Sequence, residues 1–316
     1  MSTALCEPVT YPEVSSFLLG THQPKWLETA GVPLFVSDTR LRDRKTLPRA
    51  AAAWALDSGG FTQLQKHGKW TITPQDYAAR VRRYRDEIGL LMWAAPQDWM
   101  CEPIVISGGR VGRQVFVGTG LSVARHQQLS TDNAVTLKTI APDLPWRWAV
   151  QGDTVEDYLR HVDMYLAAGI DLTTEPLVLV GSMCRRQGTD EAHRIILALR
   201  ARGLRHLHIL GAKILGLRLY GDLVTSTDSL AWSADAFYAA QKHPDNRLIL
   251  CGTNHPRGGK NCANCLPYAL QWRQKVLTAA TATNRTNCSR HVPPRRRPRI
   301  TTAHRTPEQL SLFAST

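Results

Sequence analysis

Trp54-Ala55-Leu56-Asp57-Ser58-Gly59-Gly60-Phe61 is the stretch from which the architecture of the whole chain can be read outward. A short apolar run of this length fits a buried strand, and the Asp-Ser-Gly-Gly directly after it fits a tight loop at the strand's end. Asp57 then falls at a strand tip. Two adjacent glycines let a ligand approach bare backbone, and Phe61 offers a flat apolar face to a planar ring. These are the parts of a base pocket. The same residues also fit a plain turn in which Asp57 caps the helix that follows.

The pattern repeats on both sides. Pro33 to Ser37 reads as a first strand, and a basic stretch with Arg40, Arg42, Arg44, Lys45 and Arg49 leads from it towards Asp57, either as a solvated linker or as a phosphate contact. Thr73-Pro74-Gln75-Asp76 has the form of a helix start, with proline at the first helical position. A strand over Leu90 to Ala95 then runs into Pro96-Gln97-Asp98-Trp99-Met100, again with a carboxylate at the tip. Residues 104 to 119 hold Gly108, Gly109, Gly112 and Gly118 at spacings that match neither common phosphate-binding loop, and they read as a flexible loop.

Further strands are expected at Trp146 to Val150 with Gln151-Gly152 at the tip, Pro176 to Val180 with Gly181, and His206 to Leu210 with Gly211. Leu223 to Ser226 leads to Asp228, and Arg247 to Leu250 leads to Cys251. Helices between them open at Thr154 and Thr189, the first closed by Gly169 and the second by Gly203. About eight strands alternating with helices over some 250 residues predict an α/β fold, a closed (β/α)8 TIM barrel, whose active sites lie at the strand C-termini. Asp57, Asp98, Gln151, Gly181, Gly211 and Asp228 all fall there.

With 316 residues and 43% hydrophobic content, the chain has room for one large domain and a tail. It shows no apolar run of about 18 residues or more and no signal-peptide pattern, so a cytoplasmic protein without a membrane partner is expected. A formal charge of +13 favours a polyanionic partner, nucleic acid before an anionic membrane surface. Seven cysteines without an export signal point to metal and not to disulfides. Cys251, His255, Cys262 and Cys265 form C-x3-H-x6-C-x-x-C among glycines, a set of soft ligands suited to tetrahedral structural zinc, with Cys288 or His291 as possible replacements for one of them. From about residue 280 the chain is arginine- and proline-rich and is expected to be disordered and to bind phosphates.

Two carboxylates facing one anomeric carbon can break and remake an N-glycosidic bond, one as nucleophile and the other as proton shuttle. A purine edge also needs an acceptor for N1-H and N2-H and donors for O6. Through Asp57-Ser58-Gly59-Gly60-Phe61, Val150-Gln151-Gly152, Leu210-Gly211 and the C-x-x-C at Cys262 and Cys265 followed by Tyr268, the chain resembles the queuine tRNA-ribosyltransferase (tRNA-guanine transglycosylase) superfamily over roughly residues 15 to 278. With Pro96-Gln97-Asp98-Trp99-Met100-Cys101-Glu102-Pro103 it more closely resembles the DpdA family of deazapurine DNA transglycosylases.

That resemblance implies Asp57 as general acid/base and Asp228 as nucleophile, with Asp222 a rival for the latter. It implies Asp98 and Gln151 as readers of the guanine edge, Gly181 as a backbone donor, and Phe61 with Leu210 as the faces that sandwich the base. Ser58 and Gly211 join the substrate-binding set. The superfamily's Pro-Thr-Arg after the nucleophile is absent, replaced by Ser229-Leu230-Ala231-Trp232-Ser233, which weighs against tRNA as substrate. The implied activity is exchange of guanine in DNA for a 7-deazaguanine base such as preQ0. The alternatives are tRNA-guanine transglycosylation and, in another class, a non-catalytic nucleic-acid-binding barrel. The expected organisation is a barrel over 1–245, a zinc-binding segment with a final helix over 246–280, and a basic tail over 281–316. Within that tail Gln309-Leu310-Ser311-Leu312-Phe313 resembles the bacterial sliding-clamp-binding pentapeptide.

Overall fold

A computed structural model describes residues 16–112, 114–184, 186, 188–212, 214–253, 255 and 259–283. The arginine-proline tail, Cys288, His291 and the Gln309 to Phe313 peptide lie outside the described residues.

Among the described residues, eight parallel strands form one sheet: β1 (Ser16–Thr21), β2 (Leu34–Ser37), β3 (Trp54–Asp57), β4 (Leu91–Ala94), β7 (Ala149–Val150), β8 (Val178–Val180), β9 (Leu207–Ile209) and β10 (Ser226–Ser229). Between β4 and β7 comes an antiparallel hairpin, β5 (Gly109–Val111) and β6 (Gln114–Phe116). The order across the sheet is β4-β3-β2-β1-β10-β9-β8-β7. Its two edges meet at a parallel bridge between Ala94 and Trp146, where Ala94 N–H donates to Pro145 O at 3.0 Å and Arg147 N–H to Ala94 O at 3.1 Å. The sheet thereby curls round onto itself in an α/β TIM-like fold, and the helices between the strands cover its outer face.

Two expectations are corrected. The strand set gains β1 and loses Arg247 to Leu250, whose only pairing among the described residues is an isolated bridge from Leu248 to Asn261. β1 lies between β2 and β10, with Leu18 opposite Asp228 and Leu19 opposite both Leu34 and Ser229. The segment over 104–119, read as a flexible loop, carries among its described residues the short helix Pro103–Ser107 and then the hairpin.

Alternation along the strands sorts two apolar layers. Leu34 and Val36, Trp54 and Leu56, Val178 and Val180, and Leu207 and Ile209 point outward into the main core beneath the helices. Leu18, Phe35, Ala55, Trp93, Ala149 and Leu179 point inward and fill the barrel. The next inward position on each strand is its C-terminal tip. Period two therefore decides which side chains look into the mouth of the barrel: Ser37, Asp57, Gln151, Leu210 and Asp228. Gly181, beyond β8, falls in the same layer.

Helices Pro74–Ile88, Val155–Ala167 and Asp190–Ala201 start where expected, each with a threonine cap: Thr73, Thr154 and Thr189 accept from the N–H of Asp76, Asp157 and Ala192. The final helix, Leu266–Thr283, packs on the outer side of β1, where Arg273 Nε donates to Phe17 O at 3.1 Å and Trp272 meets the Phe17 ring at 5.9 Å. No helix among the described residues is long and apolar enough to cross a membrane.

Candidate active site

Asp57 and Asp228 stand at the tips of β3 and β10, with β2 and β1 between them. The charge of Asp228 adds to an upward push on the Asp57 carboxyl. Burial is the larger cause and lifts Asp57 to about 6. Hydrogen bonds from Ser37 and the Gly59 backbone oppose the shift, and Asp228 and Asp38 reinforce it. Asp38, itself buried, is held by Tyr84 Oη at 2.8 Å and Arg80 Nη1 at 3.2 Å. Ser58, next to Asp57, is buried.

Asp228 is positioned from β9. Its Oδ1 accepts from the Gly211 N–H at 3.0 Å and lies 3.2 Å from His208 Nε2, while His208 Nδ1 lies 2.8 Å from Ser226 Oγ. A ring with its proton on Nε2 satisfies both contacts, donating to Asp228 and accepting from the serine hydroxyl. His208 is fully buried, its ring edge-on to Trp93 at 4.9 Å. The rival carboxylate, Asp222, sits in the 3-10 turn Gly221–Leu223 ahead of β10, at the opposite end of the strand from the mouth.

The third carboxylate, Asp98, is buried in the loop after β4. Desolvation raises it to about 7, with the charges of Asp57 and Glu102 adding to the rise and the Gln151 hydrogen bond opposing it. Gln151 Nε2 donates to Asp98 Oδ2, and Gln151 Oε1 accepts from Ser182 Oγ at 2.6 Å. Gln151 is fully buried, and its own N–H donates to His161 Nδ1 at 2.8 Å. The two predicted edge readers therefore touch. The 96–100 loop that carries Asp98 is tied from behind: Trp70 Nε1 donates to Asp98 O at 3.0 Å, Trp99 N–H to Ser130 Oγ at 2.8 Å, and the His126 ring meets Met100 O at 2.7 Å.

Gly181 shows why a glycine stands there. A Cβ at this position would lie 2.1 Å from Gln151 Nε2 and 2.5 Å from its Oε1. Its N–H, expected as a free donor, is engaged by Val150 O at 3.0 Å, so the residue contributes room for Gln151. Ser182, after it, holds a left-handed φ of +54°. The tip is secured by Tyr158 Oη donating to Gly181 O at 2.6 Å and by Arg186, whose Nε donates to Ser182 O and Nη2 to Gly152 O. Leu210 belongs to the inner apolar layer and Phe61 to a separate cluster with Met100 and Phe116.

The chain matches the family described as DeoxyPurine in DNA protein A, DpdA, over residues 14–313. It belongs to the DpdA family. No curated protein matches it. Membership in DpdA supports a transglycosylase role in placing deazapurines in DNA, with DNA as partner. In this DpdA chain the residues that the sequence leaves unremarked are His208, Ser182 and Asp38. The first could have been found as a polar residue on the inward register of an otherwise apolar strand.

Cys251, His255, Cys262 and Cys265 converge, their ligand atoms all within 4.8 Å of one another. Cys251 Sγ and Cys262 Sγ lie 3.2 and 3.3 Å from His255 Nε2. A zinc tetrahedron with ordinary Zn–S and Zn–N bonds has edges of roughly 3.4–3.8 Å, so the two contacts to His255 are near that spacing and the four residues could hold such an ion. Leu250 N–H points at Cys262 Sγ from 3.1 Å, the kind of donor a thiolate ligand accepts. The cluster also joins distant parts of the chain: Gln271 of the final helix donates to Cys251 O at 2.9 Å, and Asn264 reaches His22, just past β1.

Proposed function

We propose that this DpdA-family protein exchanges guanine in DNA for a 7-deazaguanine base such as preQ0, through a covalent aspartyl-glycosyl intermediate. The observation that carries the reading is the pair of inward-facing carboxylates on β3 and β10 in different environments: Asp57 lifted to about 6, Asp228 fixed by the Gly211 N–H and His208. Both bonds fall on Oδ1, so Oδ2 of Asp228 is the attacking atom. It forms a bond to C1′ as the C1′–N9 bond breaks, and protonated Asp57 gives its proton to the departing guanine. The incoming deazaguanine returns its N9 proton to Asp57, bonds to C1′ and releases Asp228. Two displacements retain the anomeric configuration. A carboxyl that titrates at about 6 suits a group that must give and then take a proton near neutrality.

Asp98 and Gln151 read the purine edge, Asp98 as acceptor for N1-H and N2-H. Phe61 and Leu210 cover the faces of the base, while Ser58, Gly181 and Gly211 shape its surroundings. Cys251, His255, Cys262 and Cys265 would hold a structural zinc ion, which would crosslink the segment before the final helix. In this reading Gln309, Leu310, Leu312 and Phe313 form a sliding-clamp tether.

The test is trapping on denaturing gels. Wild-type protein incubated with a guanine-containing deoxyoligonucleotide forms an adduct. Asp228→Asn forms none while still retarding DNA, because the basic surface supplies most of the affinity. An adduct that survives Asp228→Asn and disappears in Asp222→Asn refutes the assignment.

A further inference from the structure

The β5–β6 hairpin stands beside the mouth of the barrel with an outward face that the exchange chemistry does not use. Val111 and Phe116 turn inward and are buried, Phe116 meeting the Phe61 ring edge-on at 5.6 Å. Arg110 pairs directly across from Val115 on the other face, and Val117 follows on the same side. Val115 is 53% and Val117 60% exposed.

The hairpin is firmly rooted. Val117 N–H donates to Gln65 O at 3.0 Å, and Thr119 and Gly120 N–H donate to Val105 and Ile106 O. At its base Gly108 and Gly118 cross so closely that a Cβ on Gly118 would lie 2.6 Å from Gly108 N, and one on Gly108 2.7 Å from Val117 O. Both glycines have positive φ, +72° and +80°. Charge complements the shape: between Glu102 and Asp132 the sequence holds no acidic residue, and Arg110 and Arg125 are exposed. Arg125 is exposed in the first turn of the helix Val123–Ile140, where the positive end of the helix dipole adds to it.

We infer that this hairpin is a strand-separating wedge for duplex DNA, with Val115 and Val117 filling the gap left when the target guanine swings out and Arg110 contacting the flanking phosphate. The inference rests on the guanine-exchange reading above. A guanine in matched duplex keeps its C1′ bond stacked away, so an enzyme acting on it must extrude the base and support the opened stack. Apolar side chains pushed between base steps do this in other DNA-binding proteins, and cations beside them hold the backbone. The Phe116–Phe61 contact links the wedge to a face of the proposed base pocket, so opening and capture occur at one place.

The test compares wild type with Val115→Ser/Val117→Ser and with Arg110→Ala on three forms of one sequence: matched duplex, the same duplex with a bubble at the target, and the single strand. Exchange is followed with labelled guanine, and opening with 2-aminopurine next to the target, whose fluorescence rises on unstacking without any turnover. The double valine variant should lose about tenfold or more on matched duplex, the scale set by the cost of unstacking a base, and stay within about twofold on bubble and single strand. Its duplex fluorescence rise should vanish. Equal rates for the variant and wild type on matched duplex overturn the proposal. So does an equal loss on all three substrates, which makes the hairpin part of the pocket or the fold. If wild type exchanges no guanine in any DNA, the exchange reading fails by itself, and the fluorescence still decides: a rise with wild type that the variant lacks upholds the wedge, and no rise with either refutes it.

Discussion

Replacing Gly181 with alanine adds one methyl group, and the structure sets where that group goes. The new Cβ falls 2.1–2.5 Å from the three terminal atoms of the Gln151 side chain, far inside contact distance. Those atoms belong to a side chain's end and can move, so the backbone of the barrel is spared. They are also the atoms that hold Asp98 and accept from Ser182. Moving them breaks both bonds. A hydrogen bond to a carboxylate contributes about 1.5–3 kcal/mol and a neutral one about 0.5–1.5 kcal/mol. Their joint loss, roughly 2–4 kcal/mol, corresponds to a fall of about thirty- to a thousandfold in kcat/KM for the incoming base. The effect should appear mainly in KM, because Gln151 recognises the base and Asp57 and Asp228 carry the chemistry. Steady-state guanine exchange into a single-stranded oligonucleotide measures this, with circular dichroism and a melting curve as checks on the fold. A folded Gly181→Ala protein with unchanged kinetics would refute the claim that Gln151 and Asp98 read the base.

Stability should respond to pH through Asp57. Its carboxyl is raised in the folded protein, so the native state holds the proton more tightly than the unfolded chain. Stability is then greatest below the unfolded value near 4 and declines as pH rises through about 6. Asp57→Asn, which mimics the neutral form, should therefore melt higher than wild type at pH 8 and about the same at pH 4; equal melting temperatures at both would contradict the placement of Asp57 in a dry site. Metal analysis should find one zinc per chain, and Cys262→Ser or prolonged chelation should loosen the final helix from β1, read as faster amide exchange over residues 266–278 with the Asp98 loop unchanged; full protection without metal would show that the thiols are not ligands. The peptide Thr306 to Thr316 should bind a purified bacterial sliding clamp and lose binding when Leu312 and Phe313 become alanine, and no binding at high micromolar concentration would remove the tether.

Where the candidate residues sit was legible because a barrel strand presents such residues at a fixed place, the inward position at the C-terminal tip. In Trp54-Ala55-Leu56-Asp57-Ser58-Gly59 and in Val150-Gln151-Gly152, a polar side chain ends an apolar run shortly before a glycine, and Asp57 and Gln151 stand at the end of β3 and just past β7. β1 was hidden because Ser16-Phe17-Leu18-Leu19-Gly20-Thr21 lacks β-branched residues at its centre and contains a glycine. That glycine marks close contact, since a Cβ there would lie 2.8 Å from Ser229 O. The hairpin was misread for the same reason, its glycines signalling crossing backbones instead of freedom. Arg247 to Leu250 has strand composition, yet it joins no sheet: Leu248 bridges to Asn261 and Leu250 N–H turns to Cys262 Sγ in the cysteine cluster. His208 and Ser182 act on neighbours 20 and 31 residues away in sequence, Asp228 and Gln151, and such pairings appear only once the strands are side by side.

The central claim is that Asp57 and Asp228 together exchange guanine for a deazaguanine in DNA, and nucleoside mass spectrometry tests it most directly. DNA and tRNA would be digested from cells that express the wild type, Asp57→Asn or Asp228→Asn, each with and without a supply of preQ0. A deazaguanine deoxynucleoside should appear in DNA with the wild type and preQ0 only, and be absent with either variant. Modified guanosine confined to tRNA, or a DNA signal that survives Asp228→Asn, would contradict it.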